Sequence, residues 1–199
     1  MNPFAAARAA LPPLPELRSL IRLALPIVAV QVGLIFMGVV DTLMVGRVSA
    51  AALAAVALGH LYFFFIAIFG MGVLFSLDPV VSQAVGARDD AAVARAMQRG
   101  FVMAGVLTAL SLVALLPAEP IFRLLRQPDD VVPLAAGYVH AATPGIIAFF
   151  AFVVLRQTLQ AMDRVRPIVV AIVGANLVNV LMNWLLVFGN WGFPTLGPV

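Results

Sequence analysis

Long apolar segments separated by short polar ones make up most of this chain. Five segments contain no charged residue, apart from one acid in the first of them; they are 23–45, 50–77, 100–117, 131–155 and 168–188. Each has about 18 to 28 residues, enough for an α-helix to cross the roughly 30 Å of hydrocarbon in a bilayer. Barrel strands would be shorter and would alternate in polarity. The pattern therefore predicts an all-α integral membrane protein with five transmembrane helices.

The two ends of the chain differ from these segments. Residues 1–22 mix prolines and arginines with several leucines, which predicts a cytoplasmic N-terminal segment with a short helix on the inner membrane surface. For residues 1–13, a disordered tail is the open alternative. Residues 189–199 are rich in glycine and proline, which predicts a turn on the outer side. The membrane part of the chain is thus residues 23–188.

Composition and charge support the membrane class. Hydrophobic residues make up 63% of the chain and charged residues 11%, with a mean hydropathy of +1.09; soluble domains are about 45–50% apolar and about 25% charged. The net charge is +3 and every basic residue is an arginine. Without a basic aromatic patch, this charge does not predict nucleic-acid binding. The absence of cysteine excludes disulfides and thiolate metal sites.

The arginines also predict the orientation. With the N-terminus inside, nine arginines fall on the cytoplasmic side and three, Arg47, Arg123 and Arg126, on the outer side. This distribution follows the positive-inside rule. We therefore expect a multi-pass protein of the cell's inner membrane, surrounded by membrane lipid, with its N-terminus in the cytoplasm.

Asp41 is the only charged residue inside the five segments. A carboxylate at the centre of a membrane helix costs about 2.5–3.5 kcal/mol, so such groups generally face protein, water or a transported ion. Snorkelling to the outer interface is the structural alternative, which the short aspartate side chain disfavours. A carboxyl that is protonated on one side of a membrane and deprotonated on the other carries a proton. Asp41 is therefore our candidate for proton or cation coupling.

Three asparagines form a polar stripe on the fifth predicted helix. Asn176, Asn179 and Asn183 follow i, i+3, i+7 spacing among apolar residues, so they share one helical face. Together they favour a hydrated cavity that offers oxygen atoms to a cation. Each one alone is better explained by hydrogen bonding between helices. Gln31, near the middle of the first segment, has the same two interpretations.

Two prolines and two histidines also lie within the apolar segments. Pro26 and Pro144 each remove a backbone donor and permit a bend, with a static kink as the alternative. His60 and His140 have no carboxylate or histidine at metal-ligand spacing. We therefore expect no metal site, and we assign both histidines structural roles.

Short motifs follow one another in a characteristic order from Leu20 onward. They are Leu25-Pro26, Gln31, residues 40–46 (VDTLMVG), 54–59 (AAVALG), 77–87 (LDPVVSQAVGA), 156–161 (RQTLQA) and 179–184 (NVLMNW). In this order they resemble the multidrug and toxic compound extrusion (MATE) family of transporters, and its NorM-like branch in particular. The resemblance covers nearly the whole chain.

The resemblance implies twelve helices in two six-helix lobes, related by an axis along the membrane normal. It also implies export of organic cations, driven by inward flow of protons or sodium ions and without a further cofactor. Because only five of the twelve helices are covered, we expect the N-terminal part of a transporter. The sixth helix and the second lobe would then be missing or supplied by a partner chain.

The same resemblance implies roles for particular residues. Asp41 matches the coupling acid of the family's N-terminal lobe, and the first helix is expected to bend at Pro26. The positions of Asn179 and Asn183 belong to the same polar pocket in the family. To this expected pocket we add Gln31, Thr42 and Asn176 as candidates from the sequence itself. Some relatives carry an acid at the position of Asn183, so its replacement here weakens the expectation of a sodium site.

Other functions remain open at this point. A lipid-linked sugar flippase has a related fold but usually needs a cationic cavity for pyrophosphate, and the five segments contain no arginine. A non-transporting membrane assembly subunit is a second alternative. An intramembrane hydrolase would need a Ser–His pair or paired acids at depth. No second acid in the segments accompanies Asp41, so we do not expect an enzyme.

Overall fold

Eight α-helices make up the regular structure in the computed structural model, which describes residues 14–46, 49–187 and Trp191. The helices are α1 (Leu14–Val45), α2 (Ala50–Leu74), α3 (Leu77–Gly86), α4 (Asp90–Leu115), α5 (Ala118–Leu124), α6 (Val132–Ala142), α7 (Gly145–Ala161) and α8 (Arg166–Leu186). The predicted all-α membrane class is therefore confirmed. The predicted outer turn at 189–199, except for Trp191, lies outside the described residues, as do Arg47 and the tail at 1–13.

Four stretches of the described chain are long and apolar enough to cross a membrane. They are Pro15–Val45, Ala50–Gly86, Asp90–Leu115 and Arg166–Leu186. A fifth crossing is formed if α6 and α7 count as one span, bent by 51° at the break between them. Pro144 lies in this break. Its ring and its missing N–H explain why the helix is not continuous here.

Two helix starts differ from the limits of the apolar segments. Helix α1 is continuous from Leu14 through Pro26, so residues 14–22 extend the first span and do not form a separate surface helix. Helix α4 begins at Asp90, where the Asp89 side chain accepts a hydrogen bond from the Ala92 N–H over 2.8 Å. A polar cap starts this helix well before the apolar residues begin. The charge pattern thus locates the membrane-embedded part of a helix, not its first turn.

Helices α2 to α7 form a bundle that packs through large apolar side chains. One buried cluster joins α2 to α5 and α6 around Phe122, and a second joins α2, α3, α4 and α7 around Phe150. Helix α1 packs mainly against α8 and touches α2. Only three buried residues, Val30, Ile168 and Ile172, form the apolar cluster between α1 and α8. Asp41 and the three asparagines of the stripe lie along this α1–α8 contact.

Candidate functional site

The Asp41 carboxylate lies at the contact between α1 and α8 and is half-buried. Its Oδ1 accepts a hydrogen bond from Asn179 Nδ2 over 2.8 Å and a second from Asn183 Nδ2 over 2.6 Å. The two asparagines are one turn apart, so the helical repeat of α8 brings both amides to one oxygen atom. The structure thus brings together three of the predicted site residues.

These two hydrogen bonds explain how an acid is held at this position. Hydrogen bonds to charged groups contribute about 1.5–3 kcal/mol each in soluble proteins, while side-chain bonds between membrane helices average about 0.6 kcal/mol. Two bonds to Asp41 therefore offset a large part of the about 2.5–3.5 kcal/mol needed to place a carboxylate in a membrane helix. The carboxylate is thus held by protein groups of the neighbouring helix.

Asn176, the third residue of the stripe, has a different role. Its Nδ2 donates to the backbone oxygens of Gly33, over 3.0 Å, and of Ile172, over 2.9 Å. A Cβ atom at position 33 would lie 2.5 Å from Ile172 Cγ2, so only glycine allows α1 and α8 to approach this closely. Asn176 therefore joins the two helices, as the alternative interpretation of the stripe predicted for a single asparagine.

A cavity of about 500 Å³ borders Asp41 on the side away from α8. Helices α1, α2 and α6 form its walls, and its lining residues are Gly38, Val39, Asp41, Thr42, Leu43, Leu53, Val56, Ala57, His60, Leu61, Phe64 and Tyr138. Most of this wall is apolar, and Asp41 is its one carboxylate. Asp41 thus connects the amides of α8 to an open space.

Helix α2 supplies the longest wall of the cavity. Its residues from Leu53 to Phe64 that face the cavity recur at helical spacing. The His60 ring lies nearly parallel to the Phe64 ring, with an interplanar angle of 10° and centroids 6.1 Å apart. Tyr138 of α6 packs against Gly59, where a Cβ atom would lie 2.6 Å from Tyr138 Cδ1. This close approach brings Tyr138 to the cavity.

Sequence reasoning missed the place of His60 and Tyr138 in this cavity. The local sequence pattern predicts only a structural role for His60 and contains no signal for Tyr138. The i, i+4 spacing of His60 and Phe64 does show that the two rings share a face of α2. Which neighbour that face meets depends on the packing of α6 against α2, which no local pattern reveals.

The remaining predicted residues lie apart from the amides that bind Asp41. Gln31 Oε1 accepts a long hydrogen bond of 3.4 Å from Arg156 Nη2, about 15 Å along α1 from Asp41. Thr42 borders the cavity, but its hydroxyl donates to the Gly38 carbonyl oxygen over 2.8 Å. Pro26 lies within unbroken helix. Of the predicted pocket residues, only Asn179 and Asn183 form hydrogen bonds with the Asp41 carboxylate in the described part of the chain.

Comparisons with known proteins agree with this architecture. The family model of MatE matches residues 26–185. Two "Multidrug resistance protein MdtK" relatives, from Yersinia pestis (strain Pestoides F) and Yersinia enterocolitica, are each 35% identical, over 189 and 186 residues respectively. Each match covers 92% of this chain and 40% of the relative. The chain thus spans about 40% of the length of these curated relatives.

A solved structure supports the fold. It is described as a MOP superfamily transporter from Pyrococcus furiosus whose binding pocket has reverse polarity, suggesting a different function. It superposes with a TM-score of 0.71 at 19% sequence identity, covering 87% of this chain and 39% of that chain. The match over residues 26–185 also confirms the family resemblance that the sequence motifs predicted. The chain belongs to the MatE family.

Proposed function

We propose that this chain forms the cation-coupling lobe of a secondary active multidrug efflux antiporter, which exports organic cations in exchange for protons or sodium ions. The observation that carries the proposal is the position of Asp41, held by two amides of α8 and open to a cavity. Membership of the MatE family and the name of the MdtK relatives support export of drugs.

The two oxygens of Asp41 suit an exchange mechanism. Oδ1 is occupied by the two amide donors, whereas Oδ2 has no hydrogen-bond partner among the residues described in the structure. Oδ2 can therefore take up a proton while both bonds to Oδ1 stay in place. An organic cation in the cavity needs the carboxylate charge, and a proton removes it. Because the two cannot use the same charge together, their binding is mutually exclusive, as antiport requires.

The hydrogen-bond directions favour a proton over a sodium ion as the coupling ion. Sodium in transporters is coordinated by oxygen atoms, but Asn179 and Asn183 both present their N–H groups to Asp41. The Asn179 Oδ1 atom is buried without a partner and supplies one oxygen close to the acid. A sodium site would require the amides to turn their oxygens towards the ion, whereas protonation of Oδ2 needs no such rearrangement.

The cavity wall suits organic cations better than phosphate-bearing lipids. Phe64 and Tyr138 offer aromatic faces, which attract cations that have lost water. Among the residues described, no arginine lines this cavity, so a pyrophosphate group would meet Asp41 without a compensating positive charge. This composition argues against the lipid-linked sugar flippase.

We place the protein in the inner membrane with its N-terminus in the cytoplasm, because nine of the 12 arginines then lie inside. Alternating access in transporters needs one helix bundle to move against another. The eight helices of the described chain therefore act together with a second group of helices, from the same gene product or from a partner chain.

Replacement of Asp41 by asparagine in the complete gene product tests the proposal. A pH gradient or a sodium gradient is imposed across the membrane of inside-out vesicles. The uptake of a fluorescent organic cation is then measured. We expect Asp41→Asn to abolish gradient-driven transport, while Asp130→Asn, a change at an exposed acid between α5 and α6, keeps it. A sodium-only response would favour sodium coupling, and undiminished transport by Asp41→Asn would refute the proposed role of Asp41.

A further inference from the structure

We propose that His60 is a specificity-determining residue that sets the pH range in which the Asp41 cavity accepts a cation. With a neutral imidazole the cavity carries the negative charge of Asp41 alone, and with a protonated imidazole it carries a positive charge as well. This inference rests on the proposed binding of organic cations in the cavity, and it adds a second proton-binding group to the one at Asp41.

The positions of the two residues along their helices place them at different depths of one cavity. Helices α1 and α2 are joined by a short connection, so they run in opposite directions from a common end. Asp41 lies about 6 Å from this end along α1, and His60 lies about 15 Å from it along α2. Both residues line the same space of about 500 Å³. A cation that fills this space therefore meets both side chains.

The His60 ring lies in the cavity wall beside Phe64. The ring stacks on Phe64, and it forms no hydrogen bond or ion pair with any described residue. From α1 the cavity receives Asp41, and from α6 it receives Tyr138. Helices α4 and α7, which also pack against α2, contribute no residue to the described wall. Protonated His60 is thus the only cation in this part of the wall.

The chemistry of imidazole makes this arrangement sensitive to pH. Histidine is the side chain that ordinarily changes charge between pH 5 and 8. In its neutral form, the His60 ring extends the aromatic surface of Phe64 towards the body of an organic cation. In its charged form, it repels that cation. For two unit charges about 10 Å apart at an effective dielectric constant near 20, the repulsion weakens binding by on the order of tenfold.

The test measures binding of ethidium, a planar aromatic monocation, to the complete protein in lipid nanodiscs between pH 5.5 and 8. For the wild type we expect affinity to fall on acidification. The ratio of affinities at pH 8 and pH 5.5 should become about tenfold smaller in His60→Gln. His60→Lys, with a permanent positive charge, should bind weakly across the whole range. Each variant must also be monodisperse and must keep the circular dichroism spectrum of the wild type, which shows that it is folded.

The second histidine of the chain gives a matched control. His140 is exposed on α6 and its Nε2 contacts the Leu116 carbonyl oxygen over 3.1 Å, away from the cavity wall. His140→Gln should therefore keep the wild-type pH profile. If His60→Gln also keeps that profile while Asp41→Asn loses binding, the inference about His60 is wrong and the proposed function stands. If Asp41→Asn binds ethidium as tightly as the wild type, both are overturned.

Discussion

The α2–α7 bundle and the α1–α8 pair are held together in different ways. In the bundle, large side chains such as Phe122, Phe150 and Leu74 are completely buried. Between α1 and α8 the buried apolar residues are few, and three asparagines bond across the contact to Gly33 and Asp41. The bundle is held by close packing, because lipid is as apolar as leucine and adds no hydrophobic driving force. In the polar contact, a proton on Asp41 weakens both hydrogen bonds without breaking them, because bonds to a charged acceptor are the stronger ones. The candidate site lies at the α1–α8 contact, whose hydrogen bonds depend on the charge of Asp41.

The largest effect on stability is expected in the bundle. Phe150 is 0% exposed and Phe69 is 76% exposed, so the same substitution probes packing in one place and a surface position in the other. Phe150→Ala should lower the free energy of unfolding by about 3 kcal/mol, because it leaves a cavity in the packed bundle. Phe69→Ala should change it by less than about 0.5 kcal/mol. Unfolding in a denaturing detergent, followed by circular dichroism, measures both; equal losses would contradict the assignment of the rigid region.

A smaller loss of stability with a larger loss of function is expected at Gly33. A methyl group at this position would meet Ile172 at 2.5 Å, so Gly33→Ala should push α1 from α8 and destabilise the protein by about 1–3 kcal/mol. Cation binding should fall along with it, because Asp41 loses its alignment with the amides. Gly174→Ala on α8 is the control, since nothing lies within 4 Å of its added methyl group. If both variants bind the cation like the wild type, the two helices do not need their close approach.

Substitutions of single asparagines should distinguish those that bind Asp41 from the one that joins the two helices. Asn183→Ala removes one hydrogen bond from Asp41, and we expect a coupling energy of about 0.6–1.7 kcal/mol between these residues in a double-mutant cycle with Asp41→Ala, which removes the acceptor. Asn176→Ala should give an additive result in its own cycle, because Asn176 bonds to the backbone of Gly33. If the effects of Asn183→Ala and the Asp41 substitution were also additive, the hydrogen bond between these residues would contribute nothing to stability.

The smallest effect is expected at Thr42. Its hydroxyl donates within its own helix to Gly38, so Thr42→Val keeps the shape of the cavity wall and removes only a local bond. Cation affinity should change by less than about twofold. A tenfold loss in a binding titration would show instead that the hydroxyl contacts the cation directly.

The sequence predicted the helical class and the location of the apolar segments, and it marked Asp41 as a candidate, because each depends on local composition in a lipid environment. It also predicted that the three asparagines share a face. It could not predict that Asn176 turns to the backbone, since that depends on the close approach at Gly33. Nor could it predict that His60 and Tyr138 line one cavity with Asp41, because these two residues, about 80 positions apart, come together only through the packing of α6 on α2.

The central claim is that the Asp41 carboxyl, held by Asn179 and Asn183, takes up and releases a proton. Infrared difference spectra of the complete protein, recorded on acidification, observe this group directly. We predict a band from a protonated carboxyl that is missing in Asp41→Asn and shifted in Asn183→Ala, which removes a hydrogen bond to Oδ1. A spectrum of Asp41→Asn that is identical to that of the wild type would contradict the account.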